Sequence, residues 1–458
     1  MSYHLGRKRT TWGGYMTRIK VVFWVFCVGL TALWLAADPI LTHTAPFAQT
    51  RLSLINYTGI IAMGVISVAM ILAVRSSKVE SFIGGLDKSY RLHKWLGVAG
   101  LIMAIAHWLW ISGPGWLATL GMMAPAPRQQ AGAATATQGP ALLRTLQNPA
   151  RSVGQFCFYA TVILVVLALL RWFPYRYFLK THRLLAIVFL ILVFHGVVLM
   201  KISYWSHAVS YVIVALMAAG TVSAIIMLFR RVGRTHRAVG EIDAVTTRPD
   251  VGILQVGICL KDRWNGHDAG QFAFVNFEDG EGPHPFTISS TWKDDGHLLF
   301  LIKGLGDYTS ELPTTLKVGT LVTVEGPYGR FTFEGRHQRQ IWVSAGIGIT
   351  PFVSRMQELA VHPDGKTIDL FHATGSRDIE PVDQLRKLAE SAHVLLRVWV
   401  AAEDGRMTGE DIRKVVPDWK AADIWFCGPV IFGKELRDDF GSHGFPVNSF
   451  HQELFHLR

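Results

Sequence analysis

The chain has 458 residues, half of them hydrophobic and only 17% charged, against about 25% in a typical soluble chain. With a mean hydropathy of +0.28, it is neither disordered nor purely soluble, and its length accommodates two to four domains at roughly 150 residues each. The net charge of +11 is unevenly split: residues 1–235 carry 22 Lys and Arg against three acids (Asp38, Glu80, Asp87), and the remainder carries 23 bases against 31 acids. An acidic half joined to a basic, apolar half argues against nucleic acid as a partner. Cys27, Cys157, Cys259 and Cys427 are scattered without a C-x-x-C, which argues against a disulfide framework, a zinc site and a covalently attached c-type haem.

Six uncharged stretches approach the roughly 20 apolar residues that a spanning helix needs: 21–37, 52–74, 95–111, 152–170, 184–200 and 202–229. With their flanks they predict spans of about 19–37, 52–74, 91–111, 152–170, 181–200 and 202–229. Arg7, Lys8, Arg9, Arg18 and Lys20 precede the first, as in a signal peptide. No clean cleavage site follows and five more spans do, so the first helix is read as uncleaved. With the N-terminus in the cytoplasm, 17 loop bases fall inside and five (Arg51, Arg128, Arg144, Arg151, Lys201) outside. The positive-inside rule selects that orientation. It predicts a multi-pass protein of the cell (plasma or inner) membrane that returns to the cytoplasm at about residue 231. The longest outside loop, 112–151, is rich in Ala, Gly, Pro and Gln, and no role can be read from it.

Ionisable side chains are almost absent from the spans, so the exceptions matter. His93 and His107 lie in the third span, spaced i, i+14, and His182 and His195 lie in the fifth, spaced i, i+13. One histidine in an apolar helix is usually a packed residue; two on each of two helices, at matched depth, point to ligation. At about 1.5 Å per residue each pair is separated by about 20 Å, most of the bilayer core. Neutral imidazole ligates haem iron without burying a charge. The predicted partners are His93 with His182 near the cytoplasmic side and His107 with His195 near the outside. A spacing of 14 returns a helix to within about 40° of the same face, whereas a spacing of 13 leaves His182 and His195 about 220° apart. A kink in the fifth helix, or offset haems, would reconcile them.

Arg91-Leu-His93-Lys-Trp-Leu-Gly97 through His107, with His182-Arg183 through His195, resembles the ferric reductase-like transmembrane domain shared by NADPH oxidases and ferric-chelate reductases. The resemblance implies two b-type haems, each held by two histidines: His93, His107, His182 and His195. Arg91, Lys94 and Arg183 flank the inner site, either as partners for haem propionates or as ordinary positive-inside anchors.

From about residue 236 short alternating runs (Val251–Leu260, Gln271–Phe277, Leu298–Ile302, Leu321–Glu325), broken by Gly, Asp and Pro, predict a small antiparallel barrel. By propensity, His284-Pro-Phe-Thr-Ile-Ser-Ser290 is a strand and Gly326-Pro-Tyr-Gly-Arg-Phe331 a turn. The first resembles the flavin-binding strand of the ferredoxin-reductase-like barrel of the same family. The resemblance gives His284, Pro285, Phe286 and Thr287 to FAD, with Phe286 against the isoalloxazine and Thr287 on its polar edge. Leu301 and Lys303 would lie alongside the flavin, and Gly306, Asp307, Tyr308 and Thr309 would offer amide and hydroxyl donors to its pyrophosphate.

Gln340–Ala345 reads as a buried strand that runs into Gly346-Ile-Gly348-Ile-Thr350-Pro351 and a helix over Phe352–Ala360, a phosphate-cradling arrangement. It is similar to the NAD(P)H motif of ferredoxin reductases, which implies nucleotide contacts from Gly346, Gly348, Thr350 and Pro351. Strands at 367–373, 394–401 and 423–426 alternate with helices at 381–391, 408–415 and 431–440, the pattern of a parallel sheet. Ser376 and Arg377 follow the second strand, where an Arg would meet a 2′-phosphate, so NADPH is favoured over NADH. Cys427, Gly428 and Pro429 resemble the family's turn beside the nicotinamide. Glu453-Leu-Phe455 resembles the terminus whose aromatic covers the flavin, although three residues follow Phe455 here. The resemblance thus sets Cys427, Glu453 and Phe455 at the reacting end.

The expected architecture is an all-α six-helix dihaem bundle (1–235), an antiparallel β-barrel for FAD (236–338) and an α/β parallel-sheet domain for NAD(P)H (339–458). The expected activity is transmembrane electron transfer from NADPH through FAD and two haems to an outside acceptor. Dioxygen, giving superoxide, stands first and a ferric chelate second; a haem-based redox sensor or transporter without turnover is the alternative of another class. No obligatory protein partner is evident in the sequence.

Overall fold

The computed structural model describes the chain except residues 1–13, 39–45, 76–78, 80–81, 124–140, 171, 230–231, 250–251, 376–378 and 454–458. The described chain divides into a unit of residues 19–83 and 88–232 and a unit built on residues 233–456.

The first unit is helical: α1 (Gly14–Ala37), α2 (Phe47–Ala73), α3 (Leu86–Thr119), α4 (Ala141–Leu169), α5 (Tyr175–Leu199) and α6 (Ala208–Leu228). All six are long and apolar enough to cross a membrane, and a helix satisfies its own backbone groups where no water is available. Trp24, Ile102, Phe156 and Ile163 are exposed, as a lipid-facing surface requires, while Val65, Ala186, Phe189 and Met217 are buried between helices. Asp38, just beyond α1, is buried with Ser53, Tyr204 and Trp34, and Lys201 reaches it from a half-buried position. Its Oδ2 accepts from Ser53 (2.9 Å), Lys201 (3.0 Å) and Tyr204 (2.5 Å), and Trp34 donates to the Tyr204 oxygen (3.1 Å).

Three helix boundaries on the side of the predicted outside loops depart most from expectation. The stretch 112–151 is not one loop: α3 continues through Pro114 to Thr119, and α4 starts at Ala141 and contains Pro149. Pro114 has no N–H for the carbonyl of Trp110 one turn back. Arg51 of α2 supplies the missing donor, from Nε to Trp110 O (2.8 Å) and from Nη2 to Ile111 O (2.7 Å). The last span starts at Ala208 rather than 202, because Ile202–Ser206 forms a 3-10 turn and His207 is extended.

The second unit contains two sheets. The antiparallel sheet comprises β1 (Arg237–Arg248), β2 (Ile253–Leu260), β3 (Phe272–Asn276), β4 (His284–Thr287), β5 (His297–Lys303) and β6 (Leu321–Tyr328), in the order β4-β3-β6-β1-β2-β5. Ile288, just after β4, bridges to Phe300 of β5, so the two edge strands meet. Along β5, Leu298, Phe300 and Ile302 are buried while Leu299, Leu301 and Lys303 face outward, the two-residue period of a half-buried strand. Glu325, buried in β6, accepts from Arg237 and Tyr328. The segment 326–331 is thus partly strand, since β6 runs to Tyr328. A short helix, α7 (Asp307–Thr315), follows β5.

The parallel sheet comprises β7 (Arg339–Ala345), β8 (Thr367–Thr374), β9 (Val394–Val400), β10 (Ala422–Cys427) and β11 (Phe450–Gln452), in the order β11-β10-β7-β8-β9. Its crossovers include α8 (Thr350–Val361), α9 (Ile379–Ser391), α10 (Gly409–Val415) and α11 (Val430–Ser442). Ile341 and Val343 pack into a core with Phe426, Leu436 and Phe440; Trp342 faces the opposite core with Phe352 and Met356. The chain winds outward from β7 through β8 to β9, then returns to β10 on β7's other side. Loops leaving β7 and β10 therefore flank the crevice where such sheets bind ligands.

Candidate functional site

In the membrane unit α3 and α5 bring the four histidines together in the expected pairs. The rings of His93 and His182 have centroids 5.8 Å apart, and those of His107 and His195 are 6.3 Å apart. His93 Nδ1 lies 2.9 Å from Ala69 O, His107 Nδ1 2.9 Å from Ile55 O, and His195 Nδ1 2.8 Å from Ala150 O. A carbonyl only accepts, so in these three rings Nδ1 carries the hydrogen and Nε2 keeps its lone pair. The His182 ring stacks on Phe178, with centroids 5.0 Å apart. Metal-bound imidazoles show the same engagement of the second nitrogen. An ion bonded at about 2 Å to each of two imidazoles sets their centroids about 6 Å apart. The two pairs therefore fit iron between them.

Backbone atoms that carry no sequence signal position these rings. Helix α2 presents Ile55 O and Ala69 O to His107 and His93, so the carbonyls repeat the i, i+14 spacing of the α3 histidines they meet. His195 is seated on α4: it bonds Ala150 O, and a Cβ added to Gly154, one turn on, would overlap its ring. His195 thus leaves α5 toward α4, while His182 stacks on Phe178 one turn back along α5 itself. Helix α5 is continuous from Tyr175 to Leu199.

In the soluble unit the expected flavin residues gather around β4 and β5. His284, Pro285, Phe286 and Thr287 are all half-buried, and Phe286 packs on the sheet's core. Tyr308 stacks on His284, with centroids 4.3 Å apart, and donates to Asp279 (2.7 Å). Burial first, then Asp279, holds the Tyr308 phenol above its usual range. Burial lowers the His284 imidazole despite the opposing Gly282 carbonyl, so this ring is neutral near pH 7. The Thr309 hydroxyl oxygen accepts from the amides of Leu305 (3.0 Å) and Gly306 (3.3 Å), shaping the turn that opens α7 at Asp307. Leu301 and Lys303 lie on the outward face of β5, and Lys303 Nζ would stand 3.9 Å from a Cβ on Gly346.

The nucleotide turn follows β7 as a 3-10 segment, Gly346–Ile349, that passes into α8 with Pro351 in its first turn. Gly346 has φ +55°, which glycine adopts without strain. A Cβ on Gly348 would overlap the Cys427 carbonyl, so the turns after β7 and β10 pack directly on one another. Thr350 is buried and donates to Ile347 O (2.7 Å), which makes it a support for the turn. Pro429 caps α11 after Gly428. Cys427 is buried; burial and then the nearby Glu453 carboxylate push its thiol well up, so it stays protonated and contributes packing rather than a nucleophile.

Sequence reading missed two buried features here. Ser344 Oγ and His372 Nδ1 are 2.9 Å apart beneath the Gly346 turn, and burial lowers His372 to about 4. The C-terminal strand β11 joins the sheet beside β10, anchored by His451 Nε2, 3.1 Å from Asp423. Glu453, one residue beyond β11, approaches Gly329 and influences Cys427, so it reaches the junction of the two sheets. Ser376, Arg377 and Phe455 lie outside the described residues.

Residues 58–193 match the family described as a ferric reductase like transmembrane component, and residues 250–332 an FAD-binding domain. A flavohemoprotein of Xylella fastidiosa is 28% identical over 204 residues, 41% of this chain and 51% of that protein. The reductase component of propane 2-monooxygenase from Rhodococcus jostii is 25% identical over 203 residues, 41% of this chain and 55% of the relative. The chain thus spans about half the length of these curated relatives. A flavohemoglobin structure from Malassezia yamatoensis, with bound FAD and heme, aligns over 89% of this chain and 97% of its own at 17% identity, with a TM-score of 0.47.

Proposed function

Starting from a chain that belongs to the ferric reductase-like family, with an FAD-binding reductase domain behind its membrane domain, we propose that it moves electrons from NADPH across the membrane to dioxygen, giving superoxide. It is an NAD(P)H-dependent oxidoreductase and a multi-pass membrane protein. Two b-type haems, a cytoplasmic soluble unit, the plasma or inner membrane and preference for NADPH are parts of the proposal. The observation that carries it is the pair of facing histidine couples, at 5.8 and 6.3 Å, in helices otherwise built to be apolar.

Each residue has a definite task in this reading. Gly346, Gly348 and Pro351, on a turn that Thr350 supports, hold the nicotinamide nucleotide with Cys427, Gly428 and Pro429 opposite; Ser376 and Arg377 read its 2′-phosphate. Phe286, Thr287 and Leu301 orient the flavin, with His284 and the 306–309 turn toward its phosphates. Phe455 covers the flavin where the nicotinamide must bind, with Glu453 at the same reacting end. His93 and His182 form the inner ligand pair, His107 and His195 the outer one, and their neutral rings bury no charge. When bound, FAD and the haems supply the change from paired to single electrons and the relay through the bilayer.

Dioxygen is small and neutral and needs only access to the outer histidine pair. A ferric chelate is the second reading, favoured by the family that residues 58–193 match. The test supplies NADPH or NADH to the purified chain in detergent. Superoxide is read by dismutase-sensitive cytochrome c reduction, and ferric citrate reduction is followed without oxygen. Fast superoxide production with NADPH, slower with NADH, is expected. Chelate reduction far outpacing it would make the protein a metal reductase.

A further inference from the structure

Resting on that reading, we propose that Thr58 is a positioning residue that lowers the reduction potential of the outer haem by strengthening the hydrogen bonding of His107. His107 Nδ1 faces two oxygens, Ile55 O at 2.9 Å and Thr58 Oγ1 at 3.2 Å. The carbonyl can only accept, so Nδ1 carries the hydrogen. The Thr58 hydroxyl reaches back to Leu54 O (2.8 Å) and Ile55 O (3.1 Å), which also only accept, so its own hydrogen points there. Its lone pair is left for His107. The result is a relay of donation, from imidazole N–H to hydroxyl oxygen and from hydroxyl to Leu54 carbonyl. Thr58 is buried, so water does not compete, and the ring lies against Gly59, where a Cβ would stand 3.3 Å from its Cε1.

Helix α2 contains its own control. The inner histidine His93 meets the same helix at Ala69 O, which stands to it as Ile55 O stands to His107. The position that matches Thr58 there is the buried Leu72, which offers no acceptor. Donation from Nδ1–H makes the ring a more basic ligand, and outer-shell hydrogen bonds are a lever on haem potential. A more basic ligand favours ferric over ferrous iron. The outer haem is thereby a stronger one-electron reductant than it would be without Thr58, which favours delivery to a reluctant acceptor such as dioxygen. Ferric iron gains one electron on reduction, and no bond is made or broken.

The test is a potentiometric titration of the purified chain, followed by haem absorbance, on wild type, Thr58→Val, Thr58→Ser and Leu72→Thr. Valine keeps the shape and removes the acceptor. It should raise the ferrous to ferric ratio of the outer haem at a fixed potential, by about two- to tenfold for one hydrogen bond, with the inner haem unchanged. Serine should restore the wild-type midpoint. Leu72→Thr should move the inner haem the opposite way, which keeps the inference testable if Thr58→Val loads haem poorly. Unmoved midpoints in Thr58→Val, both haems moving together, or serine behaving as valine would overturn it. Fewer than two haems in wild type would instead overturn the electron-transfer reading beneath it.

Discussion

The site proposed for the membrane unit rests on four side chains, three of them held by backbone carbonyls of neighbouring helices. In the site proposed for the soluble unit the roles are exchanged: the turns after β7 and β10 would meet the nucleotide with their backbones, and side chains such as Thr350 and Cys427 support those turns. The difference follows from solvent. In an apolar bundle every polar atom needs a partner, so a ligating histidine must find a carbonyl for its second nitrogen. A phosphate-binding turn needs amide donors and close approach, which glycine permits and a Cβ prevents. Side-chain substitutions should therefore be decisive in one unit, and added methyl groups in the other.

The largest effect expected is at the histidines. Leucine fits an apolar helix and removes only the ligand. His107→Leu should lose one haem and nearly all delivery to an outside acceptor, while flavin-dependent reduction of a soluble dye survives. His93→Leu should leave any remaining haem unreduced by NADPH. A His107→Leu chain with full outside activity would reverse the assigned order of the pairs.

Next is Gly348→Ala, whose methyl would meet the Cys427 carbonyl. Reduction by NADPH should fall by at least about 100-fold, since a misplacement of about 1 Å at a reacting site costs that much. Haem reduction by dithionite should persist. Unchanged NADPH kinetics would show that the two turns need not touch.

Gly154→Ala sharpens the contrast by applying a backbone-type perturbation within the membrane unit. The new methyl would overlap the His195 ring, so outer haem occupancy should drop while the inner haem stays. Gly29→Ala is the control, because Gly29 is exposed on α1 and nothing lies within 4 Å of a Cβ there. Equal haem content in both variants would remove α4 from the outer site.

The histidines were legible because an ionisable residue in an apolar helix stands out, and their i, i+14 and i, i+13 spacings survive any choice of boundaries. Their seats were not: Ile55, Ala69 and Ala150 act through carbonyls, which every residue possesses. Thr58 reads as one more small polar residue in a span until His107 is placed beside it. Arg51 counted only as a loop base, yet it replaces the bond lost at Pro114. The continuation of α3 through that proline was hidden for the same reason. In the soluble unit glycine and proline marked the turns, whereas the short strand β11 depends on pairing with β10.

The smallest effect expected is at Asp423, which anchors β11. Burial alone would raise this carboxyl, but bonds from the His337 amide and from the His451 and His337 rings outweigh it and hold it below the usual range. A depressed folded value contributes stability above the ordinary aspartate pKa of about 3.9, lost as pH falls through the folded value. Asp423→Asn should lower Tm by about 2–6 °C at pH 7. The gap should close in more acidic solution; a pH-independent gap would assign the loss to shape rather than charge.

The central claim is that two histidine pairs hold two haems in series with the flavin. Its most direct test is the anaerobic absorption spectrum of the purified chain before and after NADPH, with haem and flavin quantified by extraction. The account predicts two b-type haems for each flavin, both reduced by NADPH once the flavin is reduced. A single haem, or two haems that dithionite reduces and NADPH does not, would contradict it.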